Sequence, residues 1–509
     1  MYEFEVPVED HIALPQPPDV LFSLAVGLLG DAAAAIADMS PEAERDSVSP
    51  EALAFSATYF DAYLQSRLDT SVQVEFPILA SACFFLANNP GSSKVLANQA
   101  EAPPAHYGSG LALLAYRLLR GDYSELPESP YRRLSNQVLA ALWTYLTGQA
   151  PSDDAIGAAA AIREESYRSG DGRELLYADI AAAVLRKKIA AAATTILPGA
   201  SGIPLETWRI FLSRPTFPRE LWPSQQRICA AGVLRGTSAV IQMPTSAGKT
   251  RATELILRSG FLADRFSLAV IVCPFRSLCH DIRSDMTASF ANDSVVINEA
   301  TDSFQEDLEI EQLWAQKTIM IVTPEKLLYL LRRNPELANN IGLVVYDEGH
   351  QFDSGARGVT YELLLTSLKL IVAPNTQIVL ISAVIANAAR IADWLLGNSE
   401  LVVDGAGLLP MFRSIAFTSW RTPLGRLEYV SPLDPDDLEF FVPRVIEEVR
   451  LATSPREKPR TFPKVDDGRT VGLYLGRRNP DIARQSIAPF PLYFQNVLDE
   501  LISGAANIG

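Results

Sequence analysis

Along the first ~200 residues, apolar positions recur at the 3.6-residue spacing that marks one face of an amphipathic helix. Alanine-rich runs with this pattern cover 20–39, 50–68, 77–86, 108–119, 131–146, 152–168 and 174–196. Turn-forming groups separate them: Asn89-Pro90-Gly91, Pro103-Pro104, Glu128-Ser129-Pro130 and Ser169-Gly170-Asp171-Gly172. Ser152-Asp153-Asp154 offers a helix N-cap with acid in the first turn, where the helix dipole favours it. No fixed-period repeat emerges, so the pattern predicts an all-α accessory domain rather than a solenoid. The run 20–39 is apolar enough to consider as a membrane span. It carries Asp31 and Asp38, costly in lipid, so a buried helix pair is predicted instead.

Near residue 201 the period changes. Short, nearly all-apolar runs at 238–243, 268–273, 319–322, 343–346 and 378–381 alternate with helical stretches at 249–262, 276–290, 324–331 and 359–372. Such alternation predicts a parallel sheet flanked by helices, with strands buried on both faces. After about residue 405 the alternation stops. The charged, Pro-containing stretch 434–464 reads as a connector with one helix at 438–451, followed by a short apolar run at 470–475. The expected division is an all-α domain at 1–200, an α/β domain at 201–425, and a connector with the incomplete start of a further domain at 426–509.

Composition adds less. The 509 residues, 48% hydrophobic and 20% charged, are those of a soluble globular chain with room for roughly two to four domains. A net charge of -16 argues against a generally basic nucleic-acid binder, but a local cationic groove is compatible with it. Cys83, Cys229, Cys273 and Cys279 form no CxxC pair and read as reduced core thiols. The acidic start MYEFEVPVED lacks the basic region of a signal peptide, so a cytoplasmic chain without a membrane partner is expected.

The chemistry concentrates in two places. Met243-Pro-Thr-Ser-Ala-Gly-Lys-Thr250 follows one apolar run and opens a helix, the context of a phosphate-binding loop. Thr245, Ser246, Ala247 and Gly248 are small or polar residues that let backbone N–H groups close on phosphate oxygens. Lys249 is placed to meet the β- and γ-phosphates of ATP, and Thr250 to offer its hydroxyl to Mg2+. Met243 stands where the general pattern has glycine. Asp347-Glu348-Gly349-His350 ends another apolar run, so its carboxylates emerge at the carboxyl edge of the sheet, where open α/β sheets bind ligands. Asp347 suits a magnesium ligand and Glu348 a group that orients the attacking water.

The order of these motifs resembles that of superfamily-2 helicases, from Leu221 to about Gly397. The resemblance implies a RecA-like P-loop domain and roles for further residues. Gln225, in Leu221-Trp-Pro-Ser-Gln225, takes the place of the adenine-reading amide. Arg276, in Pro274-Phe-Arg-Ser-Leu278, and Thr323 with Pro324, in Thr323-Pro-Glu-Lys326, take the places of contacts to the nucleic-acid backbone, DNA or RNA, single-stranded or duplex. His350 takes the place of a residue coupling ATP to the neighbouring domain, and Ser382 that of a coupling serine. Val384 departs from the family's Ser-Ala-Thr, which weakens any coupling role for a hydroxyl there. Arg357-Gly-Val-Thr-Tyr-Glu362, Ser382-Ala-Val-Ile-Ala-Asn387 and Ala392-Asp-Trp-Leu-Leu-Gly397 resemble the archaeal repair and Ski-type branch. The helical start, with Asp347–His350 and Val471-Gly-Leu-Tyr-Leu-Gly476, is similar to the helicase subunit of the Hachiman anti-phage defence system. Cys279-His280 lacks a surrounding ligand set, Arg477-Arg478 reads as a solvated pair, and Trp394 as core packing.

Such helicases sandwich ATP between two RecA-like domains, the second supplying an arginine finger worth roughly 10³–10⁵ in rate. No Gln-x-x-Gly-Arg-x-x-Arg-like run follows Gly476 here. The resemblance therefore implies an ATP-binding portion truncated before its second half, acting in defence or nucleic-acid processing. A rival reading makes the chain a nucleotide-gated adaptor whose helical domain docks a protein partner. The helicase reading expects the purified chain to bind ATP, to hydrolyse it weakly and not to unwind a duplex alone. Strand displacement by the chain alone would contradict it.

Overall fold

The computed structural model describes residues 18–38, 50–66, 74–244, 247–299, 316–350, 355–383, 385, 387–408 and 410. It also describes the strand segments 413–420, 425–429, 438–441, 448–451, 460–463, 470–476 and 487–489. The chain divides into two compact units, one of residues 1–143, 152–187 and 410–509, the other of 144–151 and 188–409.

The first unit begins with helices: α1 (Pro18–Asp38), α2 (Pro50–Ser66), α3 (Phe76–Leu86), α4 (Pro90–Gln99), α5 (Leu111–Arg120), most of α6 (Arg132–Leu146), α7 (Ser152–Ser169) and most of α8 (Gly172–Ala190). Helix α5 is typical of their logic. Leu111, Leu114 and Leu118 are fully buried on one face, and Gly121, at φ 71°, closes the helix with a left-handed cap. Helix α1 is one continuous 21-residue helix and not the predicted pair. Two interior glycines cost about 1 kcal/mol each, less than burying Ala25, Leu29, Ala33 and Ile36 contributes. By length and composition α1 could cross a membrane, and a third of its most apolar window is buried within the protein. Helix α4 occupies a stretch whose Asn-Pro-Gly start reads as a turn. Proline at the first helical position lacks only an N–H that would have no partner there.

The second unit holds α9 (Ala193–Ser201), α10 (Leu205–Leu212), α11 (Pro223–Ala230), β1 (Ala239–Gln242), α12 (Lys249–Leu262), β2 (Leu268–Val272), α13 (Arg276–Phe290), β3 (Val296–Glu299), β4 (Thr318–Val322), α14 (Pro324–Arg333) and α15 (Leu337–Asn340). It continues with β5 (Ile341–Tyr346), α16 (Gly355–Ile371), β6 (Gln377–Ser382), α17 (Ala388–Leu396) and β7 (Val402–Asp404). The seven strands form one parallel sheet in the order β3-β4-β2-β5-β6-β1-β7. Alternate side chains point to opposite faces, and both faces are covered. Ile241, Ile271, Val345 and Ile381 pack with Leu255, Phe261 and Met286. Val270, Val344, Tyr346 and Leu380 pack with Leu327, Leu364 and Leu368. The sheet and the helical region before it are as the sequence pattern implies.

Four further local expectations need correction. The run 174–196 breaks after α8, where Ala192 forms an isolated antiparallel bridge with Glu220. The edge strands β3 and β7 were not predicted, being only four and three residues long. Trp394 is 39% exposed, with the Lys369 ammonium over its ring, rather than core. The expected helix at 438–451 is two strands, β10 (Leu438–Phe441) and β11 (Glu448–Leu451). Pro443 stands inside that run and disfavours a helix through it. Strand β10 belongs to a five-stranded sheet with β8 (Arg413–Trp420), β9 (Gly425–Tyr429), β13 (Thr470–Gly476) and β14 (Ile487–Pro489), in the order β10-β9-β8-β13-β14. Strand β11 pairs antiparallel with β12 (Arg460–Pro463).

All four cysteines are buried and free, and burial pushes the Cys83 and Cys229 thiols upward, so they are poor nucleophiles. Helix α12 carries a buried charge cluster. Arg258, 3% exposed, donates to Asp293 Oδ2 (2.6 Å), the Ser289 carbonyl (2.9 Å) and Glu254 Oε1 (3.2 Å). Its guanidinium lies 4.4 Å from the Phe211 ring centroid and 4.3 Å from that of Phe290. Removing it leaves Glu254 and Asp293 deprived of a principal cation. Arg258→Ala is therefore expected to cost about 3–5 kcal/mol in urea unfolding, and a loss below about 1 kcal/mol would contradict a structural role for the cluster.

Candidate functional site

The parallel register delivers the chemically suggestive residues to one edge of the sheet. Strand β1 leads into the loop before α12, β6 is its neighbour, and β5 lies next to β6. Lys249, the first residue of α12, reaches across the end of β6 to the turn that follows β5. Its Nζ lies 2.5 Å from Glu348 Oε1. His350 continues the chain of contacts: its Nδ1 is 3.3 Å from Glu348 Oε2 and 3.0 Å from Ser382 Oγ. Ser382 is fully buried at the end of β6, and its carbonyl accepts the Met243 N–H at 2.9 Å. Lys249, Glu348, His350 and Ser382, distant in sequence, thus form one contiguous polar line.

Backbone geometry at this edge is specialised. Glu348 has φ 50°, the left-handed region that a non-glycine residue enters at a cost. Gly248 has φ 86°, and a Cβ there would lie 2.5 Å from the Gln225 amide nitrogen. That nitrogen belongs to a side chain 5% exposed, whose Oε1 accepts the Trp222 N–H at 3.0 Å in the first turn of α11. Gln225 therefore lies against the phosphate-type loop. Ala247 is buried and Thr250 follows Lys249 in the first turn of α12. Thr245, Ser246, Val384, Arg477 and Arg478 lie outside the described residues.

The electrostatics follow from burial. Asp347 is pushed up to about 6, first by burial at the strand end and then by the neighbouring Glu348, with Lys249 opposing. Burial holds His350 below the ordinary histidine range despite Glu348, so the ring is neutral at pH 7. With an acceptor-only carboxylate beside it, the tautomer carrying its proton on Nδ1 fits the contacts. Sequence reasoning gave no role to Tyr361, whose buried hydroxyl donates to the Asp347 carbonyl at 3.1 Å. It belongs to the quoted run Arg357–Glu362, and only the fold reveals that α16 turns it under the acidic motif.

Arg276 and Thr323 come to the same edge but outside this polar line. Phe275 caps α13, which Arg276 opens after β2. Thr323 caps α14 after β4, with Pro324 at its first position. Because β4 and β2 are adjacent and β2 neighbours β5, the edge reads in order: Thr323, Arg276, the acidic turn, Ser382 and the Lys249 loop.

Comparison with known proteins agrees with this arrangement. The family model for the DEAD/DEAH box helicase matches residues 222–391. The Hachiman protein HamB of Bacillus cereus is 26% identical over 282 residues, 53% of this chain and 25% of that protein. The ATP-dependent DNA helicase Hel308 of Methanococcus vannielii is 31% identical over 192 residues, 36% of this chain and 24% of its own length. Its namesake from Methanocaldococcus jannaschii is 30% identical over 190 residues, 36% of this chain and 15% of its own. The chain thus spans about a quarter or less of these relatives. Motif order, sheet order and the family match agree that residues 222–391 are similar to a DEAD/DEAH box helicase domain.

Proposed function

We propose that this chain binds ATP with Mg2+ at the Lys249–Glu348 edge and is the ATP-binding portion of a cytoplasmic nucleic-acid motor in anti-phage defence or nucleic-acid processing. The observation that carries the ATP site is the meeting of Lys249 and Glu348 at 2.5 Å across the end of β6. It brings a helix N-terminus with a cation, suited to phosphates, to carboxylates suited to a metal and a water. The donors fit Mg2+ by chemistry: Asp347 offers a carboxylate and Thr250 a hydroxyl, both hard oxygens. When bound, the metal neutralises phosphate charge. The chain's own residues do the rest: Lys249 turns from Glu348 to the phosphates, and freed Glu348 orients the attacking water. His350, neutral and joined to Ser382, reports the position of Glu348 to β6.

The likeness to Hachiman HamB supports the defence role, and that to the Hel308 DNA helicases supports nucleic acid as partner. The helical region is proposed to dock a further protein.

Lys249→Ala is expected to abolish binding of a fluorescent ATP analogue. Glu348→Gln should retain binding and lower kcat by about 100-fold or more. Equal binding by wild type and Lys249→Ala would sink the site assignment. A pH dependence also follows from Asp347. Its folded value near 6 lies above the ordinary 3.8, so the ligand-free fold binds more protons than the unfolded chain between those values. Stability of the ligand-free chain should fall as pH rises through that window, by up to about 3 kcal/mol. Asp347→Asn should remove this part of the slope and raise the melting temperature at neutral pH. An unchanged profile would contradict the raised carboxyl.

A further inference from the structure

Helix α14 carries a surface that the Thr323–Pro324 contact does not use. Its inner face buries Pro324, Leu327, Leu330 and Leu331 against the sheet. Its outer face presents Tyr329, half exposed, with the Lys326 ammonium 5.4 Å from its ring centroid. Arg333 Nη1 donates to the Tyr329 hydroxyl at 3.2 Å, and Arg332 adds a further charge in the last turn. Against these cations the helix has one acid, Glu325, so it is locally basic in a chain of net charge -16. Tyr329 lies about 9 Å along the axis from Thr323. An aromatic face held at both ends by cations, leading away from the sheet edge, is the construction that stacks bases while tracking phosphates.

Taking the chain as strand-binding, we infer that Tyr329 is a base-stacking platform for single-stranded nucleic acid, with Lys326 and Arg333 holding its ring and meeting the flanking phosphates. The strand would run from the Arg276–Thr323 edge along α14. Stacking is indifferent to base identity, because every base has a π-face, so the surface would grip sequence nonspecifically.

The test compares binding of the full chain to a labelled oligothymidylate and to an abasic phosphodiester strand of equal length. Wild type should prefer the oligothymidylate by about 5-fold or more. Tyr329→Ala should erase that preference, Tyr329→Trp should keep it, and Arg333→Ala should lower the salt slope of binding by about 1. Half exposure of Tyr329 lets the alanine variant fold, which its thermal melt verifies. If wild type binds oligothymidylate and Tyr329→Ala keeps the preference, or loses affinity for both strands equally, the platform is overturned while strand binding stands. If wild type binds neither strand, the strand-binding function itself fails, and the platform with it.

Discussion

The parallel alignment of β1, β6 and β5 is the constraint on which the candidate site depends. Parallel neighbours put their carboxyl ends on one side, so each loop leaving the sheet there meets the next. Lys249 and Glu348, 99 residues apart, touch only because β6 alone separates their strands. The same strand brings Ser382 to His350. Nothing local to either motif could create this line of contacts, and the buried faces of the strands make the register costly to shift, since a one-residue slip exchanges the faces.

That geometry ties a mechanical element to a chemical one. Glu348 occupies left-handed backbone beside a neutral His350, and Lys249 holds its carboxylate. On the proposed function, phosphates arriving at the loop would compete for Lys249 and release Glu348, while His350 would stay on Ser382. On that function a change at the nucleotide would pass to β6 through short polar contacts. Behind the loop, the Arg258 cluster secures α12 to α13, the helix that Arg276 opens. The loop therefore stands on a helix with little freedom to shift independently of the neighbouring edge.

Much of the second unit was legible in the sequence because its strands are buried on both faces and read as continuous apolar runs. The helices at 249–262 and 276–290 coincide with α12 and α13 for the related reason that each follows a buried strand after a short loop. What escaped notice depended on partners far along the chain. Strands β3 and β7 are short edges whose pairing with β4 and β1 supplies what their own composition does not. Tyr361 gains its place under Asp347 from the packing of α16, not from its neighbours in sequence. The turn read at Asn89-Pro90-Gly91 is a helix start, since proline serves both uses and only packing decides between them. At 438–451, helical spacing of apolar residues was outweighed by Pro443 and by pairing with β9 and β12.

The central claim is that one sheet edge joins a nucleotide site to a strand-binding site. It is tested most directly by ATP turnover of the purified chain with and without single-stranded DNA or RNA, with Lys249→Ala as the blank. The account expects slow turnover that rises when a strand is added and vanishes in the variant. Turnover indifferent to every strand, or equal in wild type and Lys249→Ala, would contradict it.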